Sequence, residues 1–296
     1  MLKSFDQIIE KATGAKKRLV VADASGGSVI EALQQAEKLG MIDPILVGDE
    51  AKIAPLIEQF GLSSFTIYNE TNPQAIGEKS VALVRSGEGD MLMKGKLSTP
   101  ILMRAVLDKE NGLRKGKLLS HAALMGMPNY PKLVLMTDGG IVISPTIDEK
   151  VAILENAVEL SYSLGIELPK VACLAAIENV DPKQAATTDA AMLVRMAIRK
   201  QLKPMIVEGP VAMDVILSKE AAKAKGIDSA ISEDADIILM PDITTGNAVA
   251  KALIHIAGAK IGGLVLGAAC PIVLLSRSDT AEIKLFSIAT ACSMCK

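Results

Sequence analysis

The sequence predicts an α/β protein made of two doubly wound lobes, each a mainly parallel sheet covered by helices. Short apolar runs alternate with helical patterns along nearly the whole chain. Half of the 296 residues are hydrophobic, but only 2% are aromatic and none is Trp. The core must therefore consist of Ala, Val, Ile, Leu and Met, which suits parallel strands buried on both faces. The length is large for one core and comfortable for two.

Each predicted strand is a short apolar run bounded by turn-forming or charged residues. In the first part of the chain these runs cover residues 19–23, 44–47, 65–68, 90–93 and 133–136. In the second part they cover residues 171–174, 205–207, 237–240, 264–266 and 272–275. Most neighbouring strands leave room for one crossover helix between them, as a parallel sheet requires.

The segments between the strands carry helical periodicity and helix-boundary residues. Val151, Leu154 and Val158 recur at helical spacing, Gly40 ends one helix, and Pro100 is typical of a first helical turn. Three predicted helices cover residues 28–39, 73–85 and 182–200. Two more are expected directly after residues 49 and 150, and three others are expected to begin near residues 100, 247 and 280. The first 18 residues are expected to contain a further amphipathic helix.

The pattern changes after Thr137 and Asp138, where the turn-rich segment GGIVISPTIDEK predicts a crossing into a second lobe. A last strand and helix often return to complete a first lobe, so we expect a discontinuous first domain. The predicted domains are 1–138 with 271–296, and 139–270. Ligands of doubly wound sheets bind beyond the carboxyl ends of the strands, so two such lobes predict an interlobe cleft.

Composition excludes several classes of function. The net charge is about −2, with 32 basic and 34 acidic residues, and aromatics are too few to stack on bases, so nucleic acid is not an expected partner. The longest apolar stretch, 261–275, contains glycines and a proline and is too short to span a membrane. No signal peptide is visible, which favours a cytoplasmic protein.

The four cysteines show no spacing typical of a secreted disulfide framework. Cys292 and Cys295 form a C-x-x-C motif near the end of the last helix, which fits either a redox or metal site or two small apolar residues. The second interpretation is favoured because a redox C-x-x-C opens a helix after a strand. With only two histidines, His121 and His255, no metal site is expected.

The strongest local pattern is LSRSDTAE, which follows an all-apolar strand and opens the last helix. A helix start offers unpaired N–H groups to an anion. Arg277 could clamp a phosphate and Ser276 could donate to an oxyanion. A capping box with Asp279 as N-cap and Glu282 three residues on explains part of the pattern. It does not explain a cation near the positive end of a helix.

Further strand-to-helix turns are compatible with anion binding or with ordinary capping. The segment MKGKLSTP places Lys94 before the turn, Thr99 as the expected N-cap, and Arg104 a little more than one turn inside the helix. A Walker loop is absent.

Three other strand ends carry small or acidic residues. The segment PDITTGN lets a ligand approach the backbone near Thr245, Gly246 and Asn247. Asp138 and Asp214 follow two other strands, and for each of them a routine turn is the favoured interpretation when the segment is considered alone. His121 is compatible with a structural or a catalytic role.

The segments SRSDTAE, PDITTGNAVAKAL, EGPVAMD and MTDGG, in this order and spacing, resemble the phosphate acetyl/butyryltransferase family. The opening ADASGGSVIEALQQAEKLGMIDPILVGD does so too, and the likeness spans essentially the whole chain. The resemblance implies two α/β lobes of the isocitrate/isopropylmalate dehydrogenase type and a homodimer or higher homo-oligomer. The SRSD form and the compact length look more like the phosphate butyryltransferases.

The resemblance also implies a reaction, acyl-CoA plus phosphate giving acyl phosphate plus coenzyme A, by direct transfer in a ternary complex. No permanently bound cofactor is expected, since coenzyme A and phosphate are substrates. Carried over, Ser276 stabilises the tetrahedral transition state or the leaving thiolate, and Arg277 holds phosphate. Thr245, Gly246 and Asn247 line the phosphate and acyl site.

Two positions depart from the family pattern. Acetyltransferase members place an aspartate base seven residues after the serine, where this chain has Ile283. Asp279 or Glu282 could substitute, or the thiol could ionise without a protein base. Relatives often carry Asn shortly after the TDGG-type turn, where this chain has Val142.

Three alternatives remain open at this point. A phosphate acetyltransferase would perform the same chemistry on a smaller acyl group. A metal- and NAD-dependent 2-hydroxyacid dehydrogenase of the same fold would need clustered aspartates, which the sequence does not offer. A non-enzymatic pair of binding lobes would use the same turns for ligand contacts only.

Overall fold

The computed structural model describes residues 2–115, 118–276 and 279–295. The chain forms two compact units. The terminal unit comprises Asp6–Lys117 and Gly262–Lys296, and the middle unit comprises Met1–Phe5 and Leu118–Ile261.

Strands and helices alternate along the described chain as the sequence predicted. The strands are β1 (Lys17–Ala22), β2 (Ile42–Gly48), β3 (Thr66–Asn69), β4 (Met91–Lys94), β5 (Ser120–Gly126), β6 (Val134–Thr137), β7 (Lys170–Leu174), β8 (Ile206–Val211), β9 (Ile237–Leu239), β10 (Lys260–Leu266) and β11 (Ile272–Val273). The helices are α1 (Phe5–Ala12), α2 (Gly27–Lys38), α3 (Glu50–Phe60), α4 (Pro73–Arg85), α5 (Thr99–Leu107), α6 (Ile147–Ser163), α7 (Ala185–Ile198), α8 (Met213–Leu217), α9 (Lys219–Ala224), α10 (Ile243–His255) and α11 (Ala281–Cys292). The predicted α/β class is confirmed.

In the terminal unit the strands lie in the order β3-β2-β1-β4-β11, and each neighbouring pair is parallel. Ala22 pairs with Lys94, and Val273 pairs with Met93. The loops that follow β1, β4 and β11 therefore leave the sheet at the same edge. β10 pairs with β11 in the antiparallel direction.

The last helix belongs to the core of the terminal unit. Every residue of α11 except Glu282 and Ile283 is buried, and the helix packs against α2. Its sequence is apolar on nearly all sides, which is typical of a helix surrounded by protein. A buried helix thus follows Ser276 and Asp279 closely along the chain.

In the middle unit the strands lie in the order β5-β6-β9-β7-β8. β6, β9, β7 and β8 are parallel neighbours, and β5 pairs with β6 in the antiparallel direction. The sequence analysis missed β5, because its sequence SHAALMG has neither strict alternation nor an enrichment in β-branched residues. It also missed the short helices α8 and α9.

Two predicted helix caps are wrong. The N-cap of α11 is Thr280, whose side chain accepts from the Ile283 N–H, so Asp279 lies outside the helix. The N-cap of α5 is Ser98, so Thr99 is the first helical residue. In both cases two adjacent residues are good caps, and the choice depends on where the preceding strand delivers the chain.

The contact-based division differs in part from the predicted domains. Residues 118–138, expected in the first domain, group with the middle unit, because β5 and β6 pair with each other and β6 pairs with β9. The domain division at residue 138 stays a prediction. None of the helices in the described part of the chain is long and apolar enough to cross a membrane.

Candidate functional site

The loops after β1 and β4 are in direct contact at the strand-end edge of the terminal unit. Gly95 N donates to Ala22 O at 2.9 Å, and Lys96 N donates to Asp23 O at 2.8 Å. A Cβ on Gly95 would lie 2.0 Å from Asp23 O. The close approach of two backbones therefore requires glycine at position 95.

The Ser276 turn follows β11 at the same edge. Asp279 Oδ2 accepts a hydrogen bond from Ser276 N at 2.7 Å. Ser276 is exposed, so its side chain lies at the surface of the unit. Asp279 therefore braces the backbone of the turn that carries Ser276, a role the sequence analysis did not foresee. Arg277 lies outside the described residues.

Lys284 contacts Asp279, the residue that accepts the Ser276 N–H. Its side chain is buried at 3% relative exposure, and its Nζ donates to Asp279 O. Burial lowers the pKa of Lys284, and the nearby Asp279 carboxylate offsets only part of this effect. The sequence analysis did not single out Lys284. A lysine inside the apolar run of the last helix is the signal that could have revealed it.

The other predicted residues of the terminal unit occupy different environments. Lys94 is buried at 4% relative exposure, with its Nζ 3.3 Å from Gly95 O, whereas Thr99 is exposed in the first turn of α5. Arg104 lines a groove of about 680 Å³ between α4 and α5, together with Arg85. The structure therefore brings Lys94 to the strand-end edge but directs Arg104 toward the helix surface.

In the middle unit, Asp138 organises the turn that follows β6. Its carboxylate is buried and accepts four backbone N–H groups: Gly140 at 2.6 Å, His121 and Ile141 at 2.9 Å, and Val142 at 3.3 Å. Four N–H donors balance the negative charge locally. Asp138 thus shapes the turn, and Val142 contributes its backbone where a polar side chain had been expected.

The start of α10 packs tightly on this turn. A Cβ on Gly246 would lie 2.7 Å from both Asp138 O and Gly139 Cα. Asn247 is exposed, and its Nδ2 lies 3.4 Å from Gly139 O. The structure therefore brings together Asp138, Gly246 and Asn247, which the sequence analysis had taken from separate motifs.

Asp242 fixes the first turn of α10. Its Oδ1 accepts from Thr245 N at 2.8 Å and its Oδ2 from Thr245 Oγ1 at 3.1 Å. The Thr245 hydroxyl is thereby oriented by the cap at the start of the helix. The sequence analysis placed the helix start near Asn247, whereas α10 begins at Ile243 because Asp242 is the N-cap.

His121 lies against the other side of the Asp138 turn. Its ring atoms come within 3.0–3.2 Å of an ideal Cβ placed on Gly140, so any larger residue at position 140 would press against the ring. Burial lowers the pKa of His121, although the Asp138 carboxylate acts in the opposite direction. The imidazole therefore packs on the Asp138 turn, which the start of α10 also contacts through Gly246.

Asp214 is engaged elsewhere. Its carboxylate pairs with Lys225 at 2.9 Å, and Lys225 also pairs with Glu178. Within residues 2–115, 118–276 and 279–295, no group of three or more His, Cys, Asp or Glu side chains could hold a metal ion. The described strand-end turns therefore offer four kinds of hydrogen-bond donor: hydroxyl, amide, ammonium and backbone N–H groups.

Hydrogen-bond donors of this kind suit a reaction of anionic substrates. Comparison with known proteins shows to which family the chain belongs. The model described as "Phosphate acetyl/butaryl transferase" matches residues 65–292, well over half of the chain. The chain belongs to this family. The resemblance inferred from the motifs is confirmed, and the molecule is an acyltransferase.

The relatives that match this acyltransferase over nearly their full length include phosphate butyryltransferases and phosphate acetyltransferases. It is 42% identical over 294 residues to the phosphate butyryltransferase of Clostridium acetobutylicum, with 98% of each chain covered. It is 41% identical over 292 residues to the phosphate acetyltransferase of Thermotoga maritima, covering 96% of this chain and 97% of the relative. Family membership favours a transferase over the dehydrogenase alternative.

Among solved structures, a branched-chain phosphotransacylase from Enterococcus faecalis V583 matches with a TM-score of 0.84 at 30% identity. The match covers 94% of this chain and 98% of that chain. The acyltransferase therefore has the dehydrogenase-like α/β fold of the phosphotransacylases.

Proposed function

We propose that the chain transfers a butanoyl group directly between coenzyme A and inorganic phosphate. The observation that carries this proposal is the similarity over 98% of both chains to a phosphate butyryltransferase. The similar structure named a branched-chain phosphotransacylase supports an acyl group longer than acetyl.

In the forward direction a phosphate oxygen attacks the thioester carbonyl, the C–S bond breaks, and coenzyme A leaves as the thiolate. The products are butanoyl phosphate and coenzyme A, and no covalent acyl-enzyme is formed. Ser276 donates to the developing negative charge, and Arg277 holds the phosphate. The protein accelerates the reaction by positioning two anions and neutralising their charge, without a permanently bound cofactor.

Asp279 completes the proposed catalytic group by holding the Ser276 turn. Its Oδ2 already accepts the Ser276 N–H, so it fixes the donor that faces the thioester. Ile283 stands where an aspartate base would be expected, and we propose that the thiolate of coenzyme A leaves without a carboxylate at that position.

The remaining predicted residues have binding or positioning roles in this proposal. Thr245, Gly246 and Asn247 line the phosphate and acyl site, and Asp138 holds the turn against which they pack. Thr99 contributes the exposed N-terminal turn of α5, and Lys94 contributes positive charge at the strand-end edge. Arg104 and Asp214 remain predicted substrate contacts on the basis of sequence alone.

A phosphate acetyltransferase is the second candidate, supported by the 41% identical relative from Thermotoga maritima. The two candidates differ in the volume of the acyl pocket. Two missing methylene groups cost about 1–3 kcal/mol each in a fitted pocket. We therefore expect kcat/KM for butyryl-CoA to exceed that for acetyl-CoA by at least about 10-fold, and the reverse order would establish the second candidate.

The decisive assay follows the release of free thiol from butyryl-CoA with and without phosphate. We expect release to depend on phosphate and to fall about 100-fold or more in Arg277→Ala, as for loss of one charge-stabilising donor. Arg199→Ala, which alters an exposed arginine at the end of α7, is the matched control and should retain activity. Thiol release that is independent of phosphate would instead identify a thioesterase.

We also propose that the enzyme works as a homodimer or higher homo-oligomer. Light scattering coupled to size-exclusion chromatography tests this against the monomer mass of 31.1 kDa. A monomer mass in the active fraction would contradict it.

A further inference from the structure

His121 is held in place by its backbone, not by its ring. His121 N donates to Asp138 Oδ2 at 2.9 Å, and Thr137 Oγ1 donates to His121 O at 2.8 Å. Both contacts lie on the peptide group. The imidazole is therefore positioned at the Asp138 turn without using either ring nitrogen as an anchor.

The two ring nitrogens have different environments. Nδ1 is buried and, within the described part of the chain, has no hydrogen-bond partner. The residue as a whole is only half-buried, so the ring also has an accessible portion. Since Nδ1 is the buried, unpaired side-chain atom, the nitrogen able to meet a ligand is Nε2.

This arrangement fixes where the proton of the ring resides. Imidazolium carries N–H groups on both nitrogens, and a buried N–H without an acceptor is unfavourable. Burial lowers the pKa of His121, and the Asp138 carboxylate opposes this effect only in part. Four backbone N–H groups already solvate that carboxylate. The ring is therefore neutral, with its proton on Nε2.

The ring and the predicted substrate residues contact two adjacent glycines of one turn. The imidazole packs on Gly140, while the backbone of Gly246 packs on Gly139. Asn247 Nδ2 also approaches Gly139 O. An imidazole and a carboxamide thus lie against neighbouring residues of the turn that Asp138 organises.

We propose that His121 donates a hydrogen bond from Nε2 to an acceptor oxygen of the substrate, on a phosphoryl group or the acyl carbonyl. The inference rests on the proposed function and adds a substrate-contacting residue to it. A neutral imidazole in this position stabilises an oxygen that gains negative charge, as an uncharged donor in an oxyanion site does. It does not deliver its proton, because the neutral ring is a very weak acid.

The composition of the chain gives a direct test. Only two histidines are present, so ¹⁵N labelling of the imidazoles yields two sets of ring signals. His255, exposed at the end of α10, is the internal reference, and the His121→Gln variant assigns the signals. The ¹⁵N shifts should report a neutral His121 ring with its proton on Nε2 at pH 7.

Ligand is then added to the wild-type protein in two separate arms, inorganic phosphate alone and butyryl-CoA alone. We expect the His121 Nε2 signal to move in at least one arm, while His255 does not. Movement with phosphate identifies a phosphoryl oxygen, and movement with butyryl-CoA that free coenzyme A does not reproduce identifies the thioester carbonyl. An imidazolium at pH 7, a proton on Nδ1, or no movement in either arm would overturn the proposal.

Kinetics provide the second measurement. His121→Leu removes the donor, whereas His121→Gln keeps an N–H donor near the position of Nε2. We expect the Leu variant to lose about 100-fold in kcat/KM, as for one oxyanion donor, and the Gln variant to recover part of that loss. Equal activity of the two variants would contradict the role of the donor. If wild type moves the His121 signal with ligand but releases no thiol, the proposed function fails while the binding role stands.

Discussion

Replacement of Gly246 by alanine tests the contact between the Asp138 turn and the start of α10. The new Cβ would lie 2.7 Å from Asp138 O and 2.7 Å from Gly139 Cα. Both are backbone atoms, so no flexible side chain can move aside. The helix must shift away from the turn, and Asn247 must move with it.

The free-energy change follows from two opposing effects. Alanine is favoured over glycine inside a helix by about 1 kcal/mol. Forced overpacking typically costs about 1–3 kcal/mol. The matched control is Gly77→Ala in α4, where the new Cβ would meet its nearest neighbours at an ordinary 3.6 Å. We expect the control to be stabilised by up to about 1 kcal/mol, and Gly246→Ala to be less stable than the control by about 1–3 kcal/mol.

Urea unfolding of both variants measures this difference, and thiol release from butyryl-CoA measures its effect on the site. The Gly246 variant should lose about 10-fold or more in kcat, because small displacements of positioning groups are costly. Gly77→Ala should keep wild-type activity. If both variants are equally stable and equally active, the close packing of turn on helix does not position the site.

The remaining predictions concern three buried features. Asp138→Asn replaces an acceptor of four N–H groups by a side chain with one acceptor and one donor group, so the free energy of unfolding should fall by about 2–4 kcal/mol; a urea midpoint equal to wild type would contradict this. Burial lowers the pKa of Lys284, so the unfolded chain binds this proton more tightly than the folded chain. Stability therefore rises with pH between the folded pKa and the ordinary value of an unfolded lysine, and below that window the buried lysine destabilises the fold. Lys284→Met should therefore be neutral or more stable in urea while kcat falls about 10-fold through a loosened Ser276 turn; unchanged kcat would show that the turn needs no support. Burial raises the pKa of Cys173, Cys270 and Cys292 to about 12 and that of Cys295 to about 11. At pH 8 a thiol reagent should modify the native chain at least about 100-fold more slowly than the chain in urea, and rapid native labelling would revive the redox interpretation of the C-x-x-C motif.

Sequence reasoning predicted those parts of the fold that depend on local pattern. The apolar runs and their helices were found because most strands are largely buried and bounded by turn residues, as around β1 and β4. The strand β5 was missed because it is defined by pairing with β6, whose residues lie 9–15 positions further along the chain, and not by its own alternation. The caps at Ser98 and Thr280 moved by one residue for a similar reason.

For the site, the sequence predicted which turns carry candidate residues. It did not predict which side chains hold the backbone of each turn and which are available to a ligand. Asp138 and Asp279 were chosen as acidic residues near strand ends, and the structure shows both carboxylates bound to backbone N–H groups. Lys284 and the ring of His121 could not be placed, because their environment is created by segments distant in sequence. The local sequence pattern decides which turns follow strands. Tertiary packing decides which side chains in those turns face a ligand.

The route of the chain through the terminal unit has a consequence for biosynthesis. β11 joins the edge of β4 and α11 covers α2, yet both elements follow the middle unit along the chain. The ribosome must first produce residues 118–261, which takes about 7–30 s at usual elongation rates. During that interval the nascent terminal unit exposes the apolar edge and face that its final segment will cover. The newborn chain is therefore expected to need chaperone protection there, and a truncation before residue 262 should be recovered as aggregate even though most of the unit's strands are present.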